Sequence, residues 1–437
     1  MKKFQKISLV LSSVLLLPQI SLATPLDEAI KDVDVSGFFR YRYDSASGNF
    51  WHKRGFQNGA GILSRQEHNW RAILGFDAAI ADNFRAFIEL GYSAADAGFG
   101  GDPMATGEAP QGADTTSQFN VREFFLTYTA TALNTDIIAG KQQVDSIWTD
   151  NSFDGLIGTG IKVVNTSIEG LSLLAFAFDN FNTANNGDEG DIYNGGVWGN
   201  TASGEAISPF NENLYGAAAL GNYEINHISL TPQLWLSYLD DSALFYAFTL
   251  GISTHFFEDV QWSLAAAYLG NSVDNKLKKY VDFSNNNFFG LSSTIDFSGF
   301  DASLGGLYYG DKNHYTLTTL EDLGNLGDFI AGEEIWYSDG SKFYGDLGEN
   351  AFGFIKAGYT FNEVLRIGAD FVYGGTKVGN VNFANKEAGK KFEAVARISY
   401  QYSPKLSFEA FYSYLNIDAK QEEAHKNSTR LQVLYQF

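Results

Sequence analysis

The stretch Phe392–Tyr414, FEAVARISYQYSPKLSFEAFYSY, alternates with a period of two on both sides of a Ser403-Pro404 turn. Phe392, Ala394, Ala396, Ile398, Tyr400 and Tyr402 fall on one face, against Glu393, Arg397 and Gln401 on the other. Beyond the turn, Leu406, Phe408, Ala410, Tyr412 and Tyr414 oppose Lys405, Ser407 and Glu409. Successive side chains of a strand point to opposite sides, so each segment presents one apolar, aromatic face and one charged face. A soluble sheet over a core alternates too, and one hairpin does not separate the two cases.

Repetition separates them. The same pattern runs through Phe39, Tyr41 and Tyr43 against Arg40, Arg42 and Asp44, and through Trp70, Ala72, Leu74 and Phe76 against Arg71 and Asp77. It recurs in Leu365, Ile367, Ala369, Phe371 and Tyr373 against Arg366 and Asp370, and it closes the chain with Leu431, Val433, Tyr435 and Phe437 against Arg430, Gln432 and Gln436. Two sheets of a sandwich cannot bury that many aromatic faces, whereas a wall with lipid outside and water inside needs all of them. Each face is close to the ~9–11 residues of a tilted membrane strand.

The connections alternate in length. Short turns fall at Asp82-Asn83, Leu133-Asn134, Glu169-Gly170, Asn226-His227, Glu258-Asp259, Ser298-Gly299, Asn362-Glu363 and Ser403-Pro404. Longer segments fall at 45–68, 97–118, 143–160, 181–212, 240–242, 271–285, 312–350, 376–391 and 418–427. Eight turns and nine loops predict an all-β, antiparallel transmembrane barrel of about 18 strands, with 16 and 20 left open by the boundaries. Pro103, Pro110 and Pro209 lie in loops and Pro404 in a turn; Pro232, inside LTPQLWL, is expected near the start of its strand.

Composition agrees. Aromatics make up 15% of the chain, while charged residues are only 19%, below the ~25% usual for soluble domains. Residues 1–23 read as a signal peptide: Lys2, Lys3 and Lys6, the apolar run Ile7–Leu17, then Ser21-Leu22-Ala23. Residues 24–437 are the expected barrel domain, placed in the outer membrane of a Gram-negative cell. The absence of cysteine removes thiol catalysis and Cys-based zinc sites. A formal net charge of −21, more negative once the leader lysines are removed, argues against nucleic acid and favours cations. The six histidines show no HExxH or paired spacing and no GxSxG occurs, so the protein is not expected to be an enzyme.

One loop differs from the others. Ala139–Gly160, AGKQQVDSIWTDNSFDGLIGTG, mixes an apolar body with Trp148, Asp150 and Asp154 and ends in three glycines. Such a loop packs against a wall and points charge elsewhere. With its carboxylates set against a basic wall, for which Arg40, Arg42, Arg71 and Arg122 are the candidates, the loop is the expected pore constriction; the alternative is that several of these arginines only form ion pairs in the barrel lining.

Several stretches resemble one known family, the major outer membrane porin of the Campylobacter type. They include ATPLDEAIKDVDVSGFFRYRYD (Ala23–Asp44), IAGKQQVDSIWTDNSFDGLIGTGIKVVN (Ile138–Asn165), GNLGDFIAGEEIWY (Gly324–Tyr337) and IGADFVYGGTK (Ile367–Lys377). IADNFRAF (Ile80–Phe87) and GFDASLGGLYYGDK (Gly299–Lys312) carry it further, while 45–68, 97–118 and 181–212 look individual. The resemblance implies a homotrimer in lipid and lipopolysaccharide, with one pore per subunit narrowed by the third loop. It also implies a calcium ion near the constriction, held by the residues matching the family's ligands: Asp154, Glu321 and, more loosely, Glu189 among Asp188, Glu189 and Asp191. Three carboxylates plus backbone and water oxygens suffice for calcium. The expected function is general diffusion of ions and small hydrophilic solutes with a mild cation preference. The alternatives are an adhesin whose outer loops bind host surface ligands, and a solute-specific channel.

Overall fold

In the computed structural model, the described residues are 33–49, 63–97, 119–152, 155–181, 199–200, 206–207, 212–256, 259–279, 281–338, 340–379, 388–419 and 422–437. Eighteen strands close into a barrel in which each pairs antiparallel with its neighbours in sequence. They are β1 (Val33–Gly48), β2 (Leu63–Ala81), β3 (Phe84–Ala97), β4 (Asn120–Ala130), β5 (Thr135–Gln143), β6 (Ile157–Ile168), β7 (Leu171–Phe181), β8 (Leu214–Gly221, continued by Tyr223–Ile225) and β9 (Ile228–Leu239). The second half holds β10 (Ala243–Phe256), β11 (Val260–Val273), β12 (Asn287–Phe297), β13 (Phe300–Leu317), β14 (Tyr344–Phe361), β15 (Leu365–Lys377), β16 (Gly389–Ser403), β17 (Leu406–Ala419) and β18 (Glu422–Gln436). A separate pair, Gly199–Asn200 with Ala206–Ile207, stands outside the barrel sheet. Closure comes from β1 against β18, where the amides of Gly37 and Phe437 exchange hydrogen bonds with each other's carbonyls at 3.2 and 3.1 Å and Phe437 stacks on Phe39 at 5.7 Å.

The alternation read from sequence sets the two faces. Phe371, Tyr373, Tyr402 and Tyr412 are each at least half exposed on the outside, and with no sheet edge left open a lipid-facing wall is satisfied. Three turns on the short-turn side take left-handed backbone at both central residues, Asn226-His227, Ser298-Gly299 and Asn362-Glu363. That geometry is the one two-residue hairpins use, as at Asn226-His227 and Ser298-Gly299; at Asn362-Glu363 the link to Leu365 is one residue longer.

Several strands outrun the expected length: β2 has 19 residues and β13 and β14 have 18 each. The surplus lies on the loop side, where ladders continue through polar residues. Asp44 pairs with Glu67, and Asp418 with Glu423. The 45–68 loop therefore shrinks to 49–62, 312–350 to 318–343, and the expected loop 418–427 to residues 420–421. Beyond the lipid both faces meet water, so apolar alternation ends while backbone hydrogen bonding goes on. Pro232 sits within β9 opposite the break in β8 at Asn222, whose amide turns instead to the Gly170 carbonyl at 2.8 Å. The missing N–H of proline falls where the ladder is interrupted.

The expected leader, residues 1–23, lies outside the described residues.

Candidate functional site

Among the described residues, loops 3 and 7 enter the lumen. Loop 3 (144–156) follows β5, and its neck is closed by the Val144 amide donating to the Leu156 carbonyl at 2.8 Å. A small buried network shapes its turn: the Ser146 amide donates to Thr149 Oγ1 at 3.0 Å, and that hydroxyl donates to the Val144 carbonyl at 2.5 Å. This places Trp148, with no exposed surface, against Trp235 and Phe245 at ring distances of 6.4 and 5.8 Å. Trp235 is 6% exposed between Leu234 at 60% and Leu236 at 51%, so it points inward and the loop lies inside the barrel.

Loop 7 (318–343) is longer and carries its own core. Leu326, Phe329, Ile335, Trp336 and Phe343 are buried against Phe288, Tyr309 and Phe352 of the wall. Tyr309 donates its hydroxyl to the Ser341 carbonyl, and Trp336 Nε1 donates to the Ala331 carbonyl at 2.6 Å. Aromatic pairs in edge-to-face geometry, such as Phe288–Phe329 and Trp336–Phe352, add directionality to this apolar contact.

The two loops are joined. The amides of Leu320 and Glu321 donate to the Trp148 carbonyl at 2.9 and 3.2 Å, and the Asn325 amide to the Ile147 carbonyl at 3.1 Å. In return, Glu321 Oε2 accepts the amides of Asp150 and Leu156, both at 2.9 Å. Gly324 has φ +57°, and a Cβ there would stand 2.8 Å from the Ile147 carbonyl, so the close approach needs glycine. Burial pushes the Glu321 carboxyl up to about 9; its two amide donors act against that shift, and the charges of Asp150 and Asp322 add to it. Through Oε2 the group clips loop 3 to loop 7 by these two backbone hydrogen bonds.

Loop 7 is fastened to the wall in the same way. Glu393 of β16, fully buried, accepts the amides of Glu333, Glu334 and Ile335 at 2.9, 2.9 and 3.0 Å and the Ser413 hydroxyl at 2.6 Å. This leaves the Glu333 and Glu334 carboxylates facing cations: Arg397 binds Glu333 and also Asp370, Lys426 binds Glu334, and Arg430 binds Asp44 at 2.6 Å.

The constriction residues named from sequence divide. Arg40 and Arg42 lie half-buried on the lumen face of β1, Arg40 over the Phe38 ring at 5.9 Å and Arg42 Nε donating to Gln432 Oε1 at 2.5 Å. Arg71, opposite Arg40 in register, is only 6% exposed, and Arg122 is 2% exposed. Arg122 holds the neck of loop 3, donating to the Gly155 carbonyl at 3.1 Å and Gln143 Oε1 at 3.2 Å while pairing with Glu89 at 2.6 Å. Arg71 and Arg122 are thus buried groups of the lining, and Arg122 pairs with Glu89. Trp148 packs against the wall, as the apolar body of this loop was expected to do. The Asp150 carboxylate is half-buried and accepts from the Ser152 amide and hydroxyl, each at 2.8 Å. Asp154 and Glu189 lie outside the described residues. Glu321 is 1% exposed, and among the described residues no group of three or more His, Asp or Glu is placed to hold a metal.

Glu393, Lys426, Glu333 and Glu334 were not singled out from sequence. The alternation put Glu393 and Arg397 on the inner face but carried no sign that three loop amides would converge there. Lys426 fell in a segment read as loop.

A comparison with curated proteins gave no match. Among solved structures, the chain is similar to a BenF-like porin from Pseudomonas fluorescens Pf-5 (14% identity, TM-score 0.68, 93% of this chain and 99% of that one). It is also similar to Pseudomonas aeruginosa OccK9 (OpdG), with 14% identity, TM-score 0.67 and coverage of 94% and 100%. Pseudomonas aeruginosa OpdQ follows with 14% identity, TM-score 0.64 and coverage of 94% and 99%. At this identity the likeness is one of fold. The sequence model of the family described as Campylobacter major outer membrane protein matches residues 1–437, the full length. The closed eighteen-strand barrel and the full-length match together establish that this chain belongs to the Campylobacter major outer membrane protein family and resides in the outer membrane.

Proposed function

We propose that the protein is a general diffusion porin that passes ions and small hydrophilic solutes with a mild cation preference, narrowed by loops 3 and 7 together. The observation that carries this reading is the interlock of the two loops inside the barrel. The apolar cluster under them covers the inner faces of β7 to β14 and reaches β15 and β17 at Val372, Leu415, Ile417 and Ala419, which leaves the water path to the wall of β1 to β3 and to the charged positions of β15 to β18. Along that path carboxylates of Asp44, Asp150, Glu333 and Glu334 stand among Arg40, Arg42, Arg397, Lys426 and Arg430. Opposed charges across a narrow lumen set up a transverse field that passes hydrated, dipolar solutes and opposes apolar ones. The cation preference is supported by the net charge of −21. Fold and family point to a channel and not to an enzyme. A trimer in lipid and lipopolysaccharide is part of the same proposal and rests on the family resemblance.

Calcium enters the proposal only through Asp154, Glu189 and Glu321. Of these, Glu321 alone is described, and its Oε2 already serves two loop amides, so no step of the reading runs through the metal. Glu321→Gln separates the two roles. A hydrogen-bonding clip tolerates the neutral isostere, whereas a calcium ligand loses it as bound calcium measured by atomic emission. For the porin reading itself, planar-bilayer recording is expected to show ohmic steps with a reversal potential favouring cations. Silence across salts overturns it.

A further inference from the structure

Next to the Arg397–Asp370 ion pair, whose Asp370 lies opposite Lys356 in register, is a recess of 220 Å³, lined by Ser229, Thr231, Ser253, Ser263, Ser292 and Thr294, with Asp328 of loop 7 and Lys356 of β14 at its edge. The strand registers explain it. Ser229 lies opposite Ser253, Ser253 opposite Ser263, Ser263 opposite Thr294, Thr294 opposite Ser303 and Ser303 opposite Lys356. One cross-strand row from β9 to β13 thus carries hydroxyls alone and ends on an ammonium. The adjacent row runs Thr231, Gly251, Ala265, Ser292 and Gly305, small enough to leave the hollow. A Cβ on Gly251 would meet Thr231 Oγ1 at 2.3 Å, so any side chain there closes the space.

A water-filled wall needs polarity, but charge supplies it elsewhere in this lumen; here it is supplied by groups that are donor and acceptor at once. Thr294 Oγ1 is bonded to Ser303 Oγ at 2.8 Å, which leaves each hydroxyl further acceptor capacity, and Lys356 Nζ donates to the Ile330 carbonyl at 3.2 Å with hydrogens to spare. An ion entering the recess would lose hydration without a net countercharge, since Asp328 and Lys356 are of opposite sign. A hydroxyl-rich neutral molecule instead exchanges water for like partners. The volume is below the ~300 Å³ of ordinary ligand pockets, which limits the occupant to one small molecule. We propose that this recess is a binding subsite for a neutral polyhydroxylated solute of monosaccharide size. The proposal rests on the water-filled lumen of the porin reading.

The test is saturation-transfer NMR on the full-length barrel in detergent micelles, with D-glucose as probe and glycine for comparison. Glucose is expected to saturate on the order of millimolar. A Ser229→Ala/Ser253→Ala/Ser263→Ala variant is expected to weaken it about tenfold, the loss of two or three net hydrogen bonds. Gly251→Leu, which fills the hollow, is expected to abolish it independently. A glucose signal that never saturates, or one unchanged in both variants, overturns the proposal. So does glycine saturating more tightly than glucose, which would assign the recess to zwitterions through Asp328 and Lys356. Binding needs no conductance, so silent bilayers with saturable glucose would overturn the porin reading and uphold the subsite.

Discussion

Loops 3 and 7 lie side by side in the same lumen, yet they are held differently. Loop 7 brings an apolar core of its own and is clipped to the wall by Glu393, a residue of β16. Loop 3 reaches the wall through Trp148 and the Arg122 bonds at its neck, and its acidic tip is clipped by Glu321, a residue of loop 7. One loop is therefore the foundation and the other leans on it. A pair of loops built in this order can loosen at loop 3 while loop 7 stays in place; release of loop 7 would free both.

The largest effect that would break this asymmetry is expected from Glu393→Ala. Three buried amides lose their acceptor at roughly 1–3 kcal/mol each, so loop 7 should detach and take the loop 3 contacts with it. Limited proteolysis in both loops and a raised single-channel conductance would register this. Cleavage confined to loop 3 would show that the aromatic cluster alone anchors loop 7. Next in size, Trp148→Ala removes a fully buried indole at roughly 3–5 kcal/mol, and it is expected to open loop 3 to protease with loop 7 still protected. Equal cleavage in the two loops would end the claim that loop 7 stands alone.

Smaller again is Glu321→Ala, which orphans two amides at roughly 1–3 kcal/mol each but leaves the Trp148 anchor; noisier open-channel current without a change in barrel melting is the expected signature. Glu321→Gln should stay within about 1 kcal/mol of the parent, since an amide oxygen can accept the same bonds. A separate effect is that of pH. Glu321 has a carboxyl raised from 4.5 to about 9 in place, so the clip binds its proton more tightly than the released loop does. Its contribution is fully present below about 4.5, declines as pH rises, and is lost by about 9. Loop 3 current noise should grow across that window, and Glu321→Gln should make it flat. Noise that grows equally in both would place the titrating group elsewhere.

What could be read in advance follows from how far each signal travels along the chain. The period of two at Phe392–Tyr414 is local, and with the alternation of turns and loops it led to eighteen strands, to the lipid face of Phe371 and Tyr412, and to the short turns at Asn226, Ser298 and Asn362. Strand ends such as Asp418–Glu423 were missed because a ladder above the lipid keeps its hydrogen bonds but has no apolar side to announce it. The inward course of loop 3 was visible in its apolar body, though Trp148 proved to be its anchor and Arg122 its neck.

The sequence by itself determined that this chain forms a closed, lipid-exposed barrel with a charged interior, since every strand writes its two faces into consecutive residues. Only the tertiary structure decided which of these charges and loop amides meet. Glu393 and the amides of Glu333–Ile335 are some sixty residues apart, and Glu321 and Asp150 are farther still; these meet only because barrel closure brings β5 and β16 around the same lumen, a distance condition that no local pattern encodes.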